Sequence, residues 1–445
     1  MNRLFSSPST GAEMLISGAH VLDPREQTDG PFDVMLRDGV IAEIGAAGSL
    51  ERSPETELIE GAGLHLFPGF VDPHVHLRVP GGEEAEDLQT GTRAAAAGGY
   101  CAVVAMPNTD PTLDNPTLLR GVAALAERDA RVPIGFLASI SRGLGGETLT
   151  EMVELREAGA LGFTDDGRPV ASAGLMRRAL QYQRLCGGML ALHEEDLALS
   201  ADGVMHEGTV SATLGLAGIP STSESTMVAR DALLAEHEGG RVHFQHLSSA
   251  ASVDALAVAR ARGAQVTGEV TPHHLLLVDE AVRSLDTAFK MNPPLRSEDD
   301  RQALIAALRD GTIDCIATDH APHAAESKAV PFEEAAMGTT GLETAFAALY
   351  TDLVIPGTLT LELLIERLTA AAALLELPTP RIARDEIANL TLIDLQRSWR
   401  VGESGYESRS SNCAFAGREL RGRAMLTVAA GSVAYRERAF ALAAA

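Results

Sequence analysis

Between Phe70 and Thr318 the chain alternates short apolar runs with longer amphipathic stretches, eight times over. The apolar runs are Phe70–His76, Ala102–Met106, Pro133–Ala138, Leu161–Thr164, Met189–His193, Val242–His246, Gln265–Val270 and Cys315–Thr318. Runs of this length read as strands covered on both faces. Helical spacing recurs between them, over Glu84–Ala97, Pro116–Asp129, Gly146–Ala158, Ala173–Leu185, Ser223–Glu238, Ser249–Arg262 and Asp299–Leu308, and Leu342–Tyr350 and Leu361–Leu375 complete the series. Eight strand–helix units in one domain predict an α/β fold, a (β/α)8 TIM-like barrel over residues 67–384.

The texture differs on either side. Met14–Ser17, Asp33–Arg37, Ile41–Ile44 and Leu58–Glu60 are short β-like pieces separated by Gly and Asp turns, and Leu390–Asp394, Leu420–Ala429 and Val433–Arg436 repeat that pattern near the end. The expectation is a small β-sandwich domain built from both termini, residues 13–66 with 385–445, into which the barrel is inserted. Residues 1–12 read as a disordered tail.

Charge and cysteine usage narrow the function. A formal net charge of −25 over 445 residues argues against a general binder of nucleic acid or of anionic membranes. No apolar run reaches the length of a membrane span, and Met1-Asn2-Arg3 leads into a polar stretch, not into a signal-peptide core. A cytoplasmic protein is expected. The four cysteines are far apart; Cys101, Cys186 and Cys315 lie in or beside apolar runs and read as buried free thiols.

Barrel chemistry sits at the C-terminal ends of the strands. Metal-ligating residue types fall there repeatedly. The first strand ends in His74 and His76, whose i, i+2 spacing points both imidazoles to one face, with Arg78 continuing that face. The fourth runs into Asp165-Asp166-Gly167, the fifth into His193, the sixth into His246 and the eighth into Asp319-His320-Ala321-Pro322-His323. Any one of these could be a turn or cap residue. Together they favour a metal site. Four histidines and two carboxylates exceed the needs of one catalytic zinc, which takes about three protein ligands. Two metals account for the surplus.

The segments Pro68–Arg78, Ala105–Thr109, Phe163–Gly167, Glu269–His274, Lys290-Met291-Asn292-Pro293-Pro294-Leu295-Arg296 and Ala317–His323 carry a resemblance to the cyclic amidohydrolases, and within them to the bacterial type I dihydroorotases. The resemblance runs from about residue 14 to 436. It implies a zinc-dependent hydrolase of pyrimidine biosynthesis that interconverts L-dihydroorotate and N-carbamoyl-L-aspartate. It further implies that His74, His76 and Asp319 hold one metal, that His193 and His246 hold a second, and that Asp166 bridges them. Zinc is the expected ion, two per subunit, although imidazole-rich sites also admit other divalent metals. Related hydantoinases and allantoinases use a carboxylated lysine as the bridge. Only two lysines occur here, Lys290 and Lys328, and none lies between His76 and His193. A carboxylate must take the place. The resemblance favours Asp166, with Asp165 as the alternative.

By the same matching, Arg78, Asn108 and His323 would hold the substrate's α-carboxylate, Asn292 would contact the ring, and the backbone of Met337-Gly338 would reach it. Asp319 would carry the proton. A homodimer or a complex with aspartate transcarbamoylase is the partner expectation. The rival readings are another cyclic amidase of the hydantoinase or allantoinase kind, and a non-catalytic homologue that scaffolds aspartate transcarbamoylase.

Overall fold

The computed structural model describes residues 3–438 and residue 440. Eight parallel strands follow one another around the sheet in chain order: β1 (Phe70–Val75), β2 (Tyr100–Ala105), β3 (Ile134–Ala138), β4 (Gly162–Phe163), β5 (Met189–Leu192), β6 (Arg241–Phe244), β7 (Gln265–Val270) and β8 (Cys315–Ile316). All eight lie where the apolar runs predict them. β4 and β8 are only two residues long because the chain turns out of the sheet before Asp166 and Asp319.

The helices between the strands begin on side-chain caps. Asp87 accepts from the Thr90 amide ahead of Leu88–Ala97, Asn115 caps Pro116–Asp129, and Ser297 caps Glu298–Asp310, whose first turn carries three acids. Oxygen caps satisfy amides that have no partner within the helix, and acids at the N-terminus oppose the helix dipole. Among the described residues no helix is long and apolar enough to cross a membrane.

The barrel closes between β8 and β1. Val75 bridges His320, and the His76 amide donates to the His320 carbonyl at 2.9 Å. Beneath that pair lies Asp72, fully buried on β1. It accepts from the Thr318 amide at 3.1 Å, from the Thr318 hydroxyl at 2.5 Å and from the His74 amide at 3.1 Å. One carboxylate thus ties the first strand to the last and fixes the turn that carries His74.

Strands from both ends of the chain build the outer sheet. Its order is Ser432–Arg436, Glu419–Ala429, Leu390–Arg400, His65–Pro68, Met14–Asp23, Thr28–Arg37 and Val40–Ala46, with Glu57–Glu60 paired to Met14–Asp23. The strands form one hydrogen-bonded path, not two separately bonded sheets. It buries its own core, which includes Ile16, Val34, Leu66, Leu392 and Leu426. Residues 402–418 leave this sheet and run to the barrel mouth, across the boundary expected at residue 385.

Two expectations fail in detail. In the tail expected to be disordered, residues 3–12 are seated. Phe5 exchanges two backbone hydrogen bonds with Ile134, at 2.9 and 2.8 Å, and packs against Phe136; Ser7 bonds to Ala130 and Ala12 to Gly431. Two adjacent apolar residues, Leu4 and Phe5, followed by a polar stretch give no periodic signal, so the sequence hides this anchor. Residues 1 and 2 lie outside the described residues. Cys101 and Cys315 are buried as expected, but Cys186 ends its helix partly exposed.

Replacing Asp72 with Ala leaves three buried donors without an acceptor. The variant is expected to lose about 2–4 kcal/mol of unfolding free energy, and Asp72→Asn, which keeps one acceptor, less. Denaturant unfolding measures both. An unchanged midpoint for Asp72→Ala would show that closure does not need this contact.

Candidate metal centre

Asp166, just past β4, is the hub of the mouth. One of its carboxylate oxygens lies 3.5 Å from His74 Nε2, 3.7 Å from His193 Nδ1 and 3.6 Å from His246 Nε2; the other lies 3.5 Å from His76 Nε2. Asp319 Oδ1 sits 3.1 Å from His76 Nε2 and 3.5 Å from His74 Nε2. All six residues are at most 7 % exposed. The residues read from the sequence as a ligand set therefore meet at one place, from strands 1, 4, 5, 6 and 8.

The spacing bears on what the set could hold. Separations of 3.5–3.7 Å are long for hydrogen bonds. They match the edge of a tetrahedron around a zinc ion, about 3.4 Å for bonds of about 2.1 Å. His74 Nε2 is buried with no hydrogen-bond partner among the described residues, although two carboxylate oxygens lie nearby. His193 Nδ1 and His246 Nε2 face one another at 2.9 Å. His74, His76 and Asp319 form one group with ligand atoms within 4.8 Å of one another, and His74, Asp166 and His246 form a second. Converging imidazole nitrogens with an orphan among them fit divalent metal.

Burial opposes a proton on His74, yet Asp166, Glu269 and Asp319 outweigh it and hold the imidazolium well above the ordinary histidine range. Burial raises the Asp166 carboxyl, but the surrounding imidazoles, His74 first and then His246 and His76, prevail and hold it well below the usual carboxylate range. The same contest, led by His74, lowers Asp319.

Three of the four histidines are aimed from behind. His74 Nδ1 meets Glu269 Oε1 at 2.8 Å, His76 Nδ1 meets Asn108 Oδ1 at 3.0 Å, and His193 Nε2 meets Glu195 Oε2 at 3.2 Å. An acceptor behind an imidazole fixes its tautomer and leaves the other nitrogen free to bind metal. Glu269 also accepts from the His246 amide at 3.2 Å and contacts His243 Nε2 at 3.0 Å; burial opposes its charge, but His74 and His243 hold its pKa down at about 2. His243 is buried in this network. Glu269 and Glu195 carry no sequence signal of their own beyond an acid inside an apolar strand and an acid two residues past His193.

Asp165 points elsewhere. It accepts from the Ile140 and Ser141 amides, at 2.8 and 3.0 Å, and from the Ser141 hydroxyl, so it holds the loop after β3. Burial, partly offset by those donors, lifts its pKa to about 6.

The residues expected to touch substrate divide. Arg78 lies beside the ligand set with its Nε–H on the Pro322 carbonyl at 3.1 Å; among the described residues it forms no ion pair. Asn108 and Asn292 bond to protein side chains. Asn108 donates to Asp166 at 3.2 Å besides meeting His76, and Asn292 donates to Glu195 at 2.9 Å. His323 Nε2 meets the Met337 carbonyl at 2.8 Å, and burial together with Arg78 holds its pKa down at about 3, so it is neutral. Met337-Gly338 thus lies over the mouth. A Cβ at Gly338, where φ is 143°, would come within 2.7 Å of Ala321 and 2.9 Å of His323. Asn412, from the outer domain, was not legible as a site residue. It accepts from the His323 amide at 3.0 Å and donates to the Ala321 and Gly338 carbonyls at 3.0 and 3.1 Å.

Known proteins resemble this chain closely. A family model described as Dihydro-orotase-like matches residues 63–252. A dihydroorotase of Anaeromyxobacter dehalogenans (strain 2CP-C) is 46% identical over 427 residues, 95% of this chain and 98% of that protein. A dihydroorotase of Pelotomaculum thermopropionicum is 45% identical over 427 residues, 96% and 99% of the two chains. Among solved structures, the L-hydantoinase of Arthrobacter aurescens superposes with a TM-score of 0.84 at 25% identity, covering 96% of each chain. The ligand geometry, the full-length match and this likeness agree: the chain belongs to the dihydroorotase family.

Proposed function

We propose that the protein is a metal-dependent dihydroorotase that holds two divalent ions per chain, with zinc the expected ion. The observation that carries the reading is a partly buried arginine, Arg78, that forms no ion pair among the described residues and is placed beside a convergent His/Asp ligand set. A site of this kind suits a cyclic amide that bears an anionic group. His74, His76 and Asp319 are proposed to hold one ion, His193 and His246 the other, and Asp166 to bridge them. Bound there, divalent ions would polarise the ring carbonyl and make water reactive at neutral pH.

The chain's own residues supply the rest. Arg78 takes the α-carboxylate through its terminal guanidinium nitrogens. Asn108 and Asn292 serve by holding ligands, through His76 and Asp166 and through Glu195. His323, pinned to Met337, presents its Nδ1 as an acceptor. The Met337-Gly338 backbone lies against the ring. In hydrolysis, water oxygen bonds to the ring carbonyl carbon and the C–N bond to the ring nitrogen breaks. Asp319 accepts the water proton and delivers it to the departing nitrogen. The new carboxylic acid then ionises, so ring closure consumes one proton. Lower pH therefore favours dihydroorotate, by about 1.4 kcal/mol per pH unit.

The hydantoinase-like alternative needs a lysine near β4. The two lysines of the chain instead donate to backbone carbonyls at Thr287, Lys290, Glu333 and Ala336.

The direct test is turnover of L-dihydroorotate against hydantoin by the metal-loaded protein. Dihydroorotate turnover is expected, and Arg78→Met should raise KM by about tenfold or more with a smaller change in kcat. Turnover of hydantoin alone would overturn the reading. Elemental analysis separates the two acids after β4. Asp166→Ala should lose at least one metal equivalent, while Asp165→Ala keeps its metal and loses about 1–3 kcal/mol of stability. The opposite pattern would exchange their roles. Asp319→Asn should lower kcat by about 100-fold or more in folded protein; an unchanged kcat would remove Asp319 as the proton carrier.

A further inference from the structure

The only two lysines in the sequence lie side by side on the segments flanking Met337-Gly338, and neither pairs with a carboxylate among the described residues. Lys328 is 9 % exposed. Its ammonium donates to three backbone carbonyls: Thr287 at 2.8 Å, Lys290 at 3.2 Å and Ala336 at 2.8 Å. An ammonium offers three N–H donors, and here each has a carbonyl oxygen, two from residues 287–290 and one from Ala336. The Thr287 hydroxyl returns a hydrogen bond to the Lys328 carbonyl at 2.8 Å. Lys290 Nζ donates to the Glu333 carbonyl at 2.7 Å.

Two of the three carbonyls lead directly to the mouth. Ala336 precedes Met337, whose carbonyl contacts His323. The Lys290 carbonyl, besides accepting from Lys328, accepts from the Gly338 amide at 2.9 Å. Asn412 holds Gly338 from the other side. The strap over the site is therefore gripped at both ends, by Asn412 at the outer domain and by the Lys328 ammonium at residues 287–290.

We propose that Lys328 is a positioning residue for substrate: its ammonium locks segments 286–292 and 325–338 together so that the Met337-Gly338 backbone and His323 stand ready against the ring. The inference rests on the reading that this backbone faces the substrate. A preorganised strap strengthens binding because its ordering cost is met before substrate arrives. A side chain without three donors cannot close the same set of contacts. Lys328 touches no ligand of the metal set, so metal content should not depend on it.

The test compares Lys328→Met and Lys328→Gln with the unaltered, metal-loaded chain. Metal stoichiometry should stay the same in both. KM for dihydroorotate should rise by about tenfold in Lys328→Met and by less in Lys328→Gln, with kcat within about threefold. Amide exchange, measured without substrate, should quicken at 286–292 and 325–338 and not across the barrel strands. Folded, metal-loaded Lys328→Met with KM within about twofold of the unaltered chain would overturn the proposal, as would exchange that quickens uniformly. Should Lys328→Met fail to fold, Lys328→Gln is judged by the same two readouts. If the unaltered chain does not turn over dihydroorotate, the functional reading fails, while the exchange measurement still decides whether Lys328 orders the strap.

Discussion

Four imidazoles and the Asp166 and Asp319 carboxylates occupy a space from which water is nearly excluded, and the rest of the barrel mouth is arranged to make that tenable. Buried charge is costly unless it is paired. Here His74 is raised by the carboxylates around it, and Asp166 and Asp319 are lowered by the imidazoles, each against the pull of burial. Glu269 extends the balance one layer down through His74 and His243. The backbone meets the same demand. Arg78, His246 and Asp319 have φ of 58°, 33° and 46°, in the left-handed region that residues other than glycine avoid. Such conformations cost about 1–3 kcal/mol each and persist where the surroundings over-determine them. All three sit where a strand gives way to a loop that must aim a side chain inward.

Much of this was legible in the sequence because barrel strands are local. Each is a short apolar run, and a residue just past its end falls at the mouth whatever the distant chain does. His74, His76, the Asp165-Asp166 pair, His193, His246 and Asp319 could therefore be placed together from position alone. The choice between Asp165 and Asp166 could not. Alternation says only that they face opposite ways, and it takes the Ser141 and Ile140 donors to show which way Asp165 faces. Asn108 and Asn292 were legible as site residues but not in their partners. Their amides lie on His76, Asp166 and Glu195, and those contacts join residues 32 to 97 positions apart.

What stayed hidden is long-range. Asn412 belongs by sequence to the outer domain, yet it holds His323 and Gly338 across separations of 89 and 74 residues. The scarcity of lysine was visible, and it ruled out one kind of bridge. It did not reveal that both lysines would be spent on one strap. Phe5 anchors the chain start through its ring on Phe136 and its backbone bonds to Ile134. The outer domain is thus more than a companion sheet, because residues 402–418 reach back to complete the mouth of the barrel.

The central claim is that this His/Asp set holds two divalent ions joined through Asp166. Anomalous diffraction from crystals of the metal-loaded protein tests it most directly. The account predicts two peaks per chain, about 3.5–4 Å apart, one among His74, His76 and Asp319 and one at His193 and His246, with Asp166 between them. A single peak at full occupancy, or ions bound away from Asp166, would contradict it.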